Sequence, residues 1–154
     1  MNVSTVPVRI RAAGRDDLDA LVELENRSFV TDRVSRAQYR RHIDSATGIV
    51  LVAEAGGPIA GSALVFLRRG SRKARLYSIA IAHHSRGKGV GAALLQAVET
   101  SARERNCDQV YLEVRQDNAA AIGLYESRGY VRGRTLPGFY EDGADARRYE
   151  KTIA

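Results

Sequence analysis

A glycine-rich loop between a strand and a helix is the feature that most constrains this chain. The segment SRGKGVG, residues 85–91, places three glycines and two cations in seven residues, directly after the alternating strand pattern LYSIAIA. From Gly91, apolar residues recur at helical spacing to about Asn106. The backbone N–H groups of such a loop and the positive end of the helix dipole converge on one point. The sequence therefore predicts an anion-binding site, and phosphate is the expected anion.

The remaining segments predict a mixed sheet with helices on its faces. PVRIRAA is typical of a first strand, GRDDLDALVELENRSF of a helix, and Ser35 with Gln38 of a capping box that opens a second helix. GIVLVAEA, IAGSALVFLRR and ARLYSIAIA, separated by tight turns, indicate an antiparallel meander. After the loop and its helix come the strand DQVYLEVR, a helix from Asn118 to a C-terminal Gly129, and the strands GYVRGRTL and RRYEKTI. This alternation of elements is typical of the α/β (α+β) class.

Length and charge narrow the classes of protein further. A chain of 154 residues predicts one domain, residues 1–154, and no apolar run is long enough to span a membrane. Met1 to Ala13 lacks the apolar core of a signal peptide, and the lone Cys107 indicates a buried, unreactive thiol, so a cytoplasmic location is expected. The net charge is +6, but the arginines are spread along the sequence without interleaved aromatic residues. Nucleic-acid binding is therefore a minor alternative.

Two nucleotide-binding templates compete for the glycine-rich loop. A Walker A loop requires Ser or Thr after the lysine, whereas Gly89 follows Lys88, so this template fails. The dinucleotide fingerprint G-x-G-x-x-G/A is met by Gly87, Gly89 and Ala92, with Glu113 as the acid that would bind the ribose. Three meander strands precede the loop, however, and one βαβ unit follows it, whereas a dinucleotide fold needs repeated parallel units. A dinucleotide-binding redox protein stays open as an alternative.

A third pattern covers more of the chain. In SIAIAHHSRGKGVGAALL, residues Arg86, Gly89 and Gly91 meet the pattern (Gln/Arg)-x-x-Gly-x-(Gly/Ala), and YLEVRQDNAAAIGLYESRGY continues it. Together these segments resemble the GCN5-related N-acetyltransferase (GNAT) superfamily, in particular its ribosomal-protein alanine N-acetyltransferase branch. The resemblance implies the GNAT fold, a mostly antiparallel sheet of six to seven strands with helices on both faces. It also implies transfer of acetyl from acetyl-CoA to a primary amine by direct attack of the amine.

The resemblance also implies roles for particular residues. Glu113 matches the proton acceptor, and Tyr125 the acid that protonates the departing thiolate. The residues matched to acetyl-CoA binding are Ile79, Ala80, Ile81, Arg86, Gly87, Lys88, Gly89, Val90, Gly91, Ala92 and Asn118.

Each of these roles has a structural alternative. Glu113 lies on the strand face opposite Val110, Leu112 and Val114, where it could form an ion pair with Arg115 or a neighbouring basic residue. Tyr125 could belong to the core stripe of its helix, and Asn118 is a good helix N-cap in any protein.

The acceptor side is the least defined part of the sequence. By resemblance it is bordered by Glu25, the loop around Asp32 and the hairpin FYEDGAD. Glu141, Asp142 and Asp145 favour a cationic acceptor such as a basic peptide, a lysine or a polyamine, although EDG is also a good turn, which is the preferred interpretation.

Several further expectations concern metal, partners and activity. His83 and His84 indicate a polar loop, and no metal site is expected. The segments SFVTDRVS and ARRYEK depart from the alanine-acetyltransferase branch, so the acceptor stays open. We expect a monomer or homodimer without membrane contact. A non-catalytic CoA-sensing or nucleic-acid-binding module is the remaining alternative.

Overall fold

The computed structural model describes residues 7–154. The strands are β1 (Arg9–Ala12), β2 (Gly48–Glu54), β3 (Gly61–Leu67), β4 (Lys73–Ile81), β5 (Gln109–Arg115), β6 (Val131–Leu136) and β7 (Ala146–Thr152). The helices are α1 (Leu18–Ser28), α2 (Arg36–Ile43), α3 (Val90–Glu104) and α4 (Ala119–Ser127). The predicted order of elements is confirmed. Helix α3 ends two residues before the predicted Asn106, which adopts a left-handed backbone with φ of 64°. Residues 1–6, part of the segment considered for a signal peptide, lie outside the described residues.

In the described residues the strands form one sheet of seven, in the order β1-β2-β3-β4-β5-β7-β6. Neighbouring strands are antiparallel except for β4 and β5, which are parallel. This arrangement confirms the predicted mixed, mostly antiparallel sheet. It also removes the dinucleotide fold, because that fold requires a series of parallel strands.

The helices cover both faces of the sheet, as predicted. Helices α3 and α4 pack on one face through a large cluster that includes Leu94, Leu95, Val98 and Tyr125. Helices α1 and α2 pack on the other face, where Leu21 and Tyr39 contact β2 and β3. On this second face no helix packs over β5 within the described residues, so Tyr111 and Arg115 remain half-buried, and the Glu113 side chain is covered by neighbouring side chains of the sheet instead. The Glu113 side of β5 is therefore open to a cleft.

Strands β4 and β5 diverge after a short parallel contact. They pair only from Lys73–Gln109 to Arg75–Tyr111, although both strands continue beyond this point. A bulge accompanies the divergence, since Leu64 pairs with Ser78 and Val65 with Leu76, leaving Tyr77 as an extra residue. Because a bulge bends the strand that carries it, β4 is turned away from β5. The sheet thus opens into a V-shaped gap between its two central strands.

The predicted caps form. The Ser35 hydroxyl accepts the N–H of Gln38, whose side chain accepts the N–H of Ser35 in return. The Asn118 side chain accepts the N–H of Ala121 at the start of α4, and Gly129 follows that helix with φ of 88°. No helix in residues 7–154 has the length and apolar character needed to cross a membrane.

Candidate active site

The glycine-rich loop joins the end of β4 to the start of α3. Gly87 and Gly89 have φ of 76° and 80°, a conformation that costs other residues about 1–2 kcal/mol. The first main-chain hydrogen bond of α3 runs from the N–H of Ala93 to the carbonyl of Gly89, so the N–H groups at the start of the helix are left for another acceptor. A Cβ atom at Gly87 or Gly89 would meet nothing within 4 Å. The loop therefore offers donors and open space, as an anion site requires.

Gly91 has a different role from the one its place in the loop suggests. Its backbone is helical, and a Cβ atom there would lie 2.8 Å from Cδ2 of Leu124. A side chain at position 91 would therefore crowd Leu124, where α3 packs against α4. The N–H of Gly91 is still free at the start of the helix. Positive φ, which favours glycine, occurs at Gly87 and Gly89 but not at Gly91.

The edge of β4 that faces the gap carries unpaired main-chain groups. The N–H of Ala82 bonds to the carbonyl of Ala60, on the β3 side. Because successive residues of a strand alternate in direction, Ala80 also faces β3, whereas Ile79 and Ile81 direct their N–H and C=O groups into the gap. Of the three strand residues matched to the cofactor, these two present the backbone groups that an extended ligand can pair with.

A cleft of about 890 Å³ lies where β4 and β5 separate. Its walls come from α1 and the following loop, the second half of β4, the end of β5, the start of α4 and the turn between β6 and β7. Glu113, Tyr125, Ile79 and Asn118, predicted from widely separated segments, all line this cleft. The fold therefore brings the two candidate catalytic residues to one space beside the unpaired edge of β4.

Glu113 is held by two arginines. Its side chain is 7% exposed, and Arg75 Nη2 lies 3.2 Å from Oε1 and Arg75 Nε 3.3 Å from Oε2. Arg148 Nη2 lies 3.3 Å from Oε1. Arg115 is not a partner, because it pairs with Asp117 and Asp142.

The contacts leave Glu113 some capacity to accept a proton. A carboxylate has about four acceptor sites, and Oε2 accepts from one guanidinium nitrogen, so it retains a site directed to neither arginine. The structural ion pair and an accepting role are therefore compatible in this geometry.

Tyr125 is nearly fully buried between α4 and the sheet, 5.9 Å from the ring of Tyr130 and 6.4 Å from that of Tyr149, centroid to centroid. Burial raises the pKa of its hydroxyl above the ordinary value, with a smaller contribution from Tyr140. The hydroxyl therefore stays protonated at neutral pH and has a proton to donate. Both interpretations of Tyr125 hold in part, since its ring belongs to the core while the residue also lines the cleft.

The acidic hairpin uses much of its charge within the protein. Asp142 Oδ2 lies 2.8 Å from Arg115 Nη2, and this hydrogen-bonded contact lowers the pKa of Asp142. Asp145 accepts the N–H of Gly138, and Asp142 also accepts that of Ala144. The turn interpretation of EDG thus accounts for two of the three acids, and the hairpin gives little support for a strongly cationic acceptor.

The hairpin FYEDGAD was expected to border the acceptor side, but Tyr140 within it was not singled out from the sequence, and neither were the arginine partners of Glu113. Tyr140 lines the cleft, and burial, followed by the nearby charge of Glu113, raises its pKa to about 12. The guanidinium of Arg115 lies 5.3 Å from the centroid of its ring. An aromatic pair, Phe139 and Tyr140, in a polar hairpin was the available signal for Tyr140, whereas nothing local marks Arg75 or Arg148.

Glu25 is a buried carboxylate at the floor of the cleft. It is 1% exposed and accepts three hydrogen bonds, from the N–H of Val34 at 3.0 Å and the hydroxyls of Tyr39 at 3.0 Å and Ser78 at 2.9 Å. Burial and the neighbouring Glu25 charge raise the pKa of Tyr39. Glu25 thus ties α1 to α2 and to β4, and fixes the loop that forms one wall of the cleft.

Replacement of Glu25 by glutamine is expected to destabilise the protein by about 2–3 kcal/mol, because the amide nitrogen cannot accept a hydrogen bond and leaves a buried donor unpaired. Urea unfolding monitored by circular dichroism measures the loss. Glu23→Gln is the matched control, since Glu23 lies on the same helix in an exposed pair with Arg27 and should change stability by less than about 0.5 kcal/mol. Equal losses for the two variants would contradict the bracing role of Glu25.

The two adjacent histidines and the single cysteine are not assigned a role in the reaction. His83 and His84 are exposed in a short 3₁₀ turn, not in a strand, and no cluster of metal-ligating side chains occurs in the described part of the chain. Cys107 is buried, and burial raises the pKa of its thiol. A raised thiol pKa disfavours the nucleophilic thiolate, which agrees with a structural cysteine.

Comparison with known proteins places this geometry in a family. The model of the acetyltransferase (GNAT) family matches residues 18–130. The N-alpha-acetyltransferase RimI of Mycobacterium tuberculosis is 34% identical over 95% of this chain and 93% of its own length. The N-alpha-acetyltransferase of Sulfurisphaera tokodaii is 32% identical over 90% of this chain and 89% of its own. The ribosomal-protein-S18-alanine N-acetyltransferase of Escherichia coli superposes with a TM-score of 0.83 at 26% identity, covering 96% of this chain and 95% of its own.

These similarities extend over the sheet, the glycine-rich loop and the cleft. They confirm the resemblance to the ribosomal-protein alanine N-acetyltransferase branch and the predicted fold. The chain belongs to the acetyltransferase (GNAT) family and is an N-acetyltransferase with acetyl-CoA as its co-substrate.

Proposed function

We propose that the acceptor is the N-terminal α-amino group of a protein or peptide. The observation that carries this proposal is where apolar surface is exposed. Four large hydrophobic side chains are exposed in residues 7–154, and three of them, Val30, Tyr77 and Phe139, line the cleft. Exposed apolar side chains grouped around a cleft are typical of a site that contacts another chain. A polyamine, which has no side chains to bury, would make no use of them.

The pKa of the acceptor amine also supports this proposal. The cleft is lined by five carboxylates, Glu25, Asp32, Glu113, Asp117 and Asp142, and by two arginines, Arg75 and Arg115. This negative lining attracts any protonated amine, so the ease of deprotonation has to distinguish the acceptors. An α-amino group has a solution pKa near 8 and a lysine near 10.4, so near neutral pH the unprotonated fraction of the first is roughly 200-fold larger. Glu113, already shared between two arginines, is better suited to the acceptor that is easier to deprotonate. The similarity to relatives named N-alpha-acetyltransferase also supports an α-amino acceptor.

The acetyl-CoA phosphates would lie at the glycine-rich loop, with N–H groups from residues 87–92 and the cations Arg86 and Lys88 as partners. The rest of the co-substrate would extend along Ile81 and Ile79 into the gap, where one main-chain N–H would polarise the thioester carbonyl. Asn118 lines the cleft beside this path. The free N–H groups and the open space at Gly87 and Gly89 support this placement.

In the reaction the amine nitrogen bonds to the thioester carbon and the carbon–sulfur bond breaks. Glu113 accepts the proton lost by the amine, directly or through water, at the free site on Oε2. Tyr125 donates its hydroxyl proton to the departing sulfur and is reprotonated from solvent. The protein thus supplies one proton acceptor and one proton donor to the same cleft. We expect the enzyme to act in the cytoplasm, as a monomer or homodimer.

A peptide competition tests the proposal. The protein is incubated with acetyl-CoA and three competing acceptors. The first is a peptide with a free N-terminus and no lysine, the second is the same peptide with a blocked N-terminus and one added lysine, and the third is spermidine. Tandem mass spectrometry locates the acetyl group. We expect acetylation of the free N-terminus, with Glu113→Gln lowering kcat about 100-fold. Asp117→Asn, which removes an exposed carboxylate from the rim of the cleft, is the control and should retain activity. Preferential acetylation of the lysine or of spermidine would contradict the proposal.

A further inference from the structure

The end of the sheet opposite the glycine-rich loop gathers cations that are scattered in the sequence. It is formed by three segments, residues 40–48, 66–73 and 103–109, which we call the basic end. They comprise the last turn of α2 with the start of β2, the turn from β3 to β4, and the last turn of α3 with the start of β5. The linear sequence gives no sign of their proximity, since residues 49–102 separate the first segment from the third.

Direct contacts join the three segments. The N–H of Leu67 bonds to the carbonyl of Thr47 at 2.8 Å, and the N–H of Asp108 to the carbonyl of Arg72 at 2.8 Å. Arg105 Nη1 lies 3.5 Å from the carbonyl oxygen of Ala46. The basic end is therefore one continuous surface.

This surface holds most of the net charge of the protein. Its cations are Arg40, Arg41, Arg68, Arg69, Arg72, Lys73, Arg103 and Arg105, and its acids are Asp44, Glu104 and Asp108. These eight cations and three acids leave +5 of the chain's +6. All eight cations are exposed residues. Among residues 7–154, no ion-pair partner is found for Arg40, Arg41, Arg68, Arg69 or Lys73.

Neither the acetyl-CoA site nor helix stabilisation accounts for the whole surface. Lys73 and Ile81 are at opposite ends of the nine-residue strand β4, so roughly 25 Å separates the basic end from the glycine-rich loop. Arginines in the last turns of α2 and α3 favour those helices through the helix dipole. The four cations of the β3–β4 turn belong to no helix, and their mutual repulsion opposes folding.

The shape of the surface suits phosphate groups. The β3–β4 turn is exposed from Arg68 to Gly70, with Gly70 at φ of 79°. Beside α2, a shallow depression of about 610 Å³ is lined by Arg36, Ala37, Arg40, Arg41 and Asp44. Seven of the eight cations of the basic end are arginines, whose planar guanidinium groups bind phosphate oxygens in pairs.

We infer that the basic end binds the phosphate backbone of RNA. A membrane surface is disfavoured because the exposed large hydrophobic residues, Val30, Tyr77, Val131 and Phe139, all lie outside the three segments. Base-specific reading of the DNA major groove is disfavoured because α2 and α3 contribute only their last turns here and the β3–β4 hairpin contributes only its turn and strand ends. Duplex RNA is recognised through its shape and phosphates, which turns and arginine side chains can contact.

Fluorescence anisotropy with a labelled RNA hairpin of about 16 base pairs, and a DNA hairpin of the same sequence, tests the inference at 50–200 mM salt. The variants Arg68→Gln/Arg69→Gln and Arg40→Gln/Arg41→Gln each remove two unpaired cations of the basic end. Arg132→Gln/Arg134→Gln is the matched control, since it removes two exposed arginines from β6. Acetylation of a short peptide, measured for every variant, reports that the enzyme is folded and is independent of RNA.

We expect each basic-end variant to weaken RNA binding about tenfold and to reduce the slope of log K against log salt by about 1.5, since each lost phosphate contact lowers it by roughly 0.7–0.9. The control should change affinity less than twofold, and peptide acetylation should be unchanged throughout. The inference is overturned if RNA does not bind at 50 mM salt, if the control weakens binding equally, or if the DNA hairpin binds as tightly as the RNA. Failure of peptide acetylation in the wild type would instead refute the proposed function alone.

Discussion

Tyr125→Phe is expected to lower kcat about 100-fold while leaving the affinity for acetyl-CoA and the stability nearly unchanged. The substitution removes a single oxygen atom from a side chain whose ring is packed against Tyr130 and Tyr149. No hydrogen bond of this hydroxyl occurs within the described residues, so its loss leaves no buried partner unpaired. A proton donor to the departing sulfur contributes roughly 10²–10⁴ to the rate. Steady-state kinetics with a peptide acceptor, together with urea unfolding, measure both effects.

The pH dependence of the wild type provides a second readout for Tyr125. Because the pKa of Tyr125 in the folded protein is raised, the protonated hydroxyl persists above the ordinary tyrosine value of 10. We therefore expect kcat/KM to rise with pH as the α-amino group loses its proton near pH 8, without a fall below about pH 10. A Tyr125→Phe enzyme that keeps wild-type kcat, or a wild-type activity that falls between pH 8 and 9, would remove Tyr125 from the role of acid.

Gly89→Glu is expected to weaken acetyl-CoA binding at least 100-fold. The new carboxylate would extend into the open space beside the free N–H groups of α3, where we propose that the phosphates of acetyl-CoA bind. Repulsion between the carboxylate and the phosphates, together with occupation of the donors, opposes binding. Calorimetric titration with acetyl-CoA measures the change in Kd.

Gly70→Glu is the matched control, because it introduces the same backbone strain as Gly89→Glu without placing a negative charge in the glycine-rich loop. Gly70 has φ of 79°, almost the same as Gly89, and a Cβ atom there also meets nothing within 4 Å, but it lies in the turn between β3 and β4. Both variants should lose about 1–2 kcal/mol of stability, because both place a side chain on a left-handed backbone. The Kd for acetyl-CoA should change less than threefold in Gly70→Glu. A similar loss of affinity in both variants would place the phosphates elsewhere.

Local patterns in the sequence were sufficient to predict the elements of the fold. The capping box at Ser35, the N-cap at Asn118 and the alternation of Val110, Leu112 and Val114 are short-range signals, and the structure contains each of them. The glycine-rich loop was predictable for the same reason, because a strand, three glycines and a helix occur within one short segment. The local patterns predicted a mixed sheet but not the order of its strands. The resemblance to the GNAT superfamily implied the number of strands and their mostly antiparallel arrangement.

Contacts between residues far apart in the sequence could not be predicted in the candidate site. Arg75 and Arg148 are 38 and 35 residues from Glu113, and only the sheet register brings their side chains to its carboxylate. The local candidate Arg115 turned out to pair with Asp117 and Asp142. Helices cover both faces of the sheet as predicted, but the sequence does not show that the Glu113 side of β5 borders a cleft.

The basic end shows the same limit on a larger scale. Arginines that are dispersed in the sequence converge because β2, β4 and β5 begin, and β3 ends, at that side of the sheet.

The divergence of β4 and β5 gives the protein an edge in the interior of its own sheet. Unpaired N–H and C=O groups ordinarily occur at the outer margin of a sheet, where they invite pairing with another chain. At Ile79 and Ile81 such groups instead face the gap between β4 and β5, inside the sheet, where an extended ligand can pair with them. A ligand that pairs with them completes the sheet, so its binding also stabilises the fold. The divergence of β4 and β5 would then have two effects. It would select an extended ligand, and it would keep the unpaired backbone groups away from other protein chains.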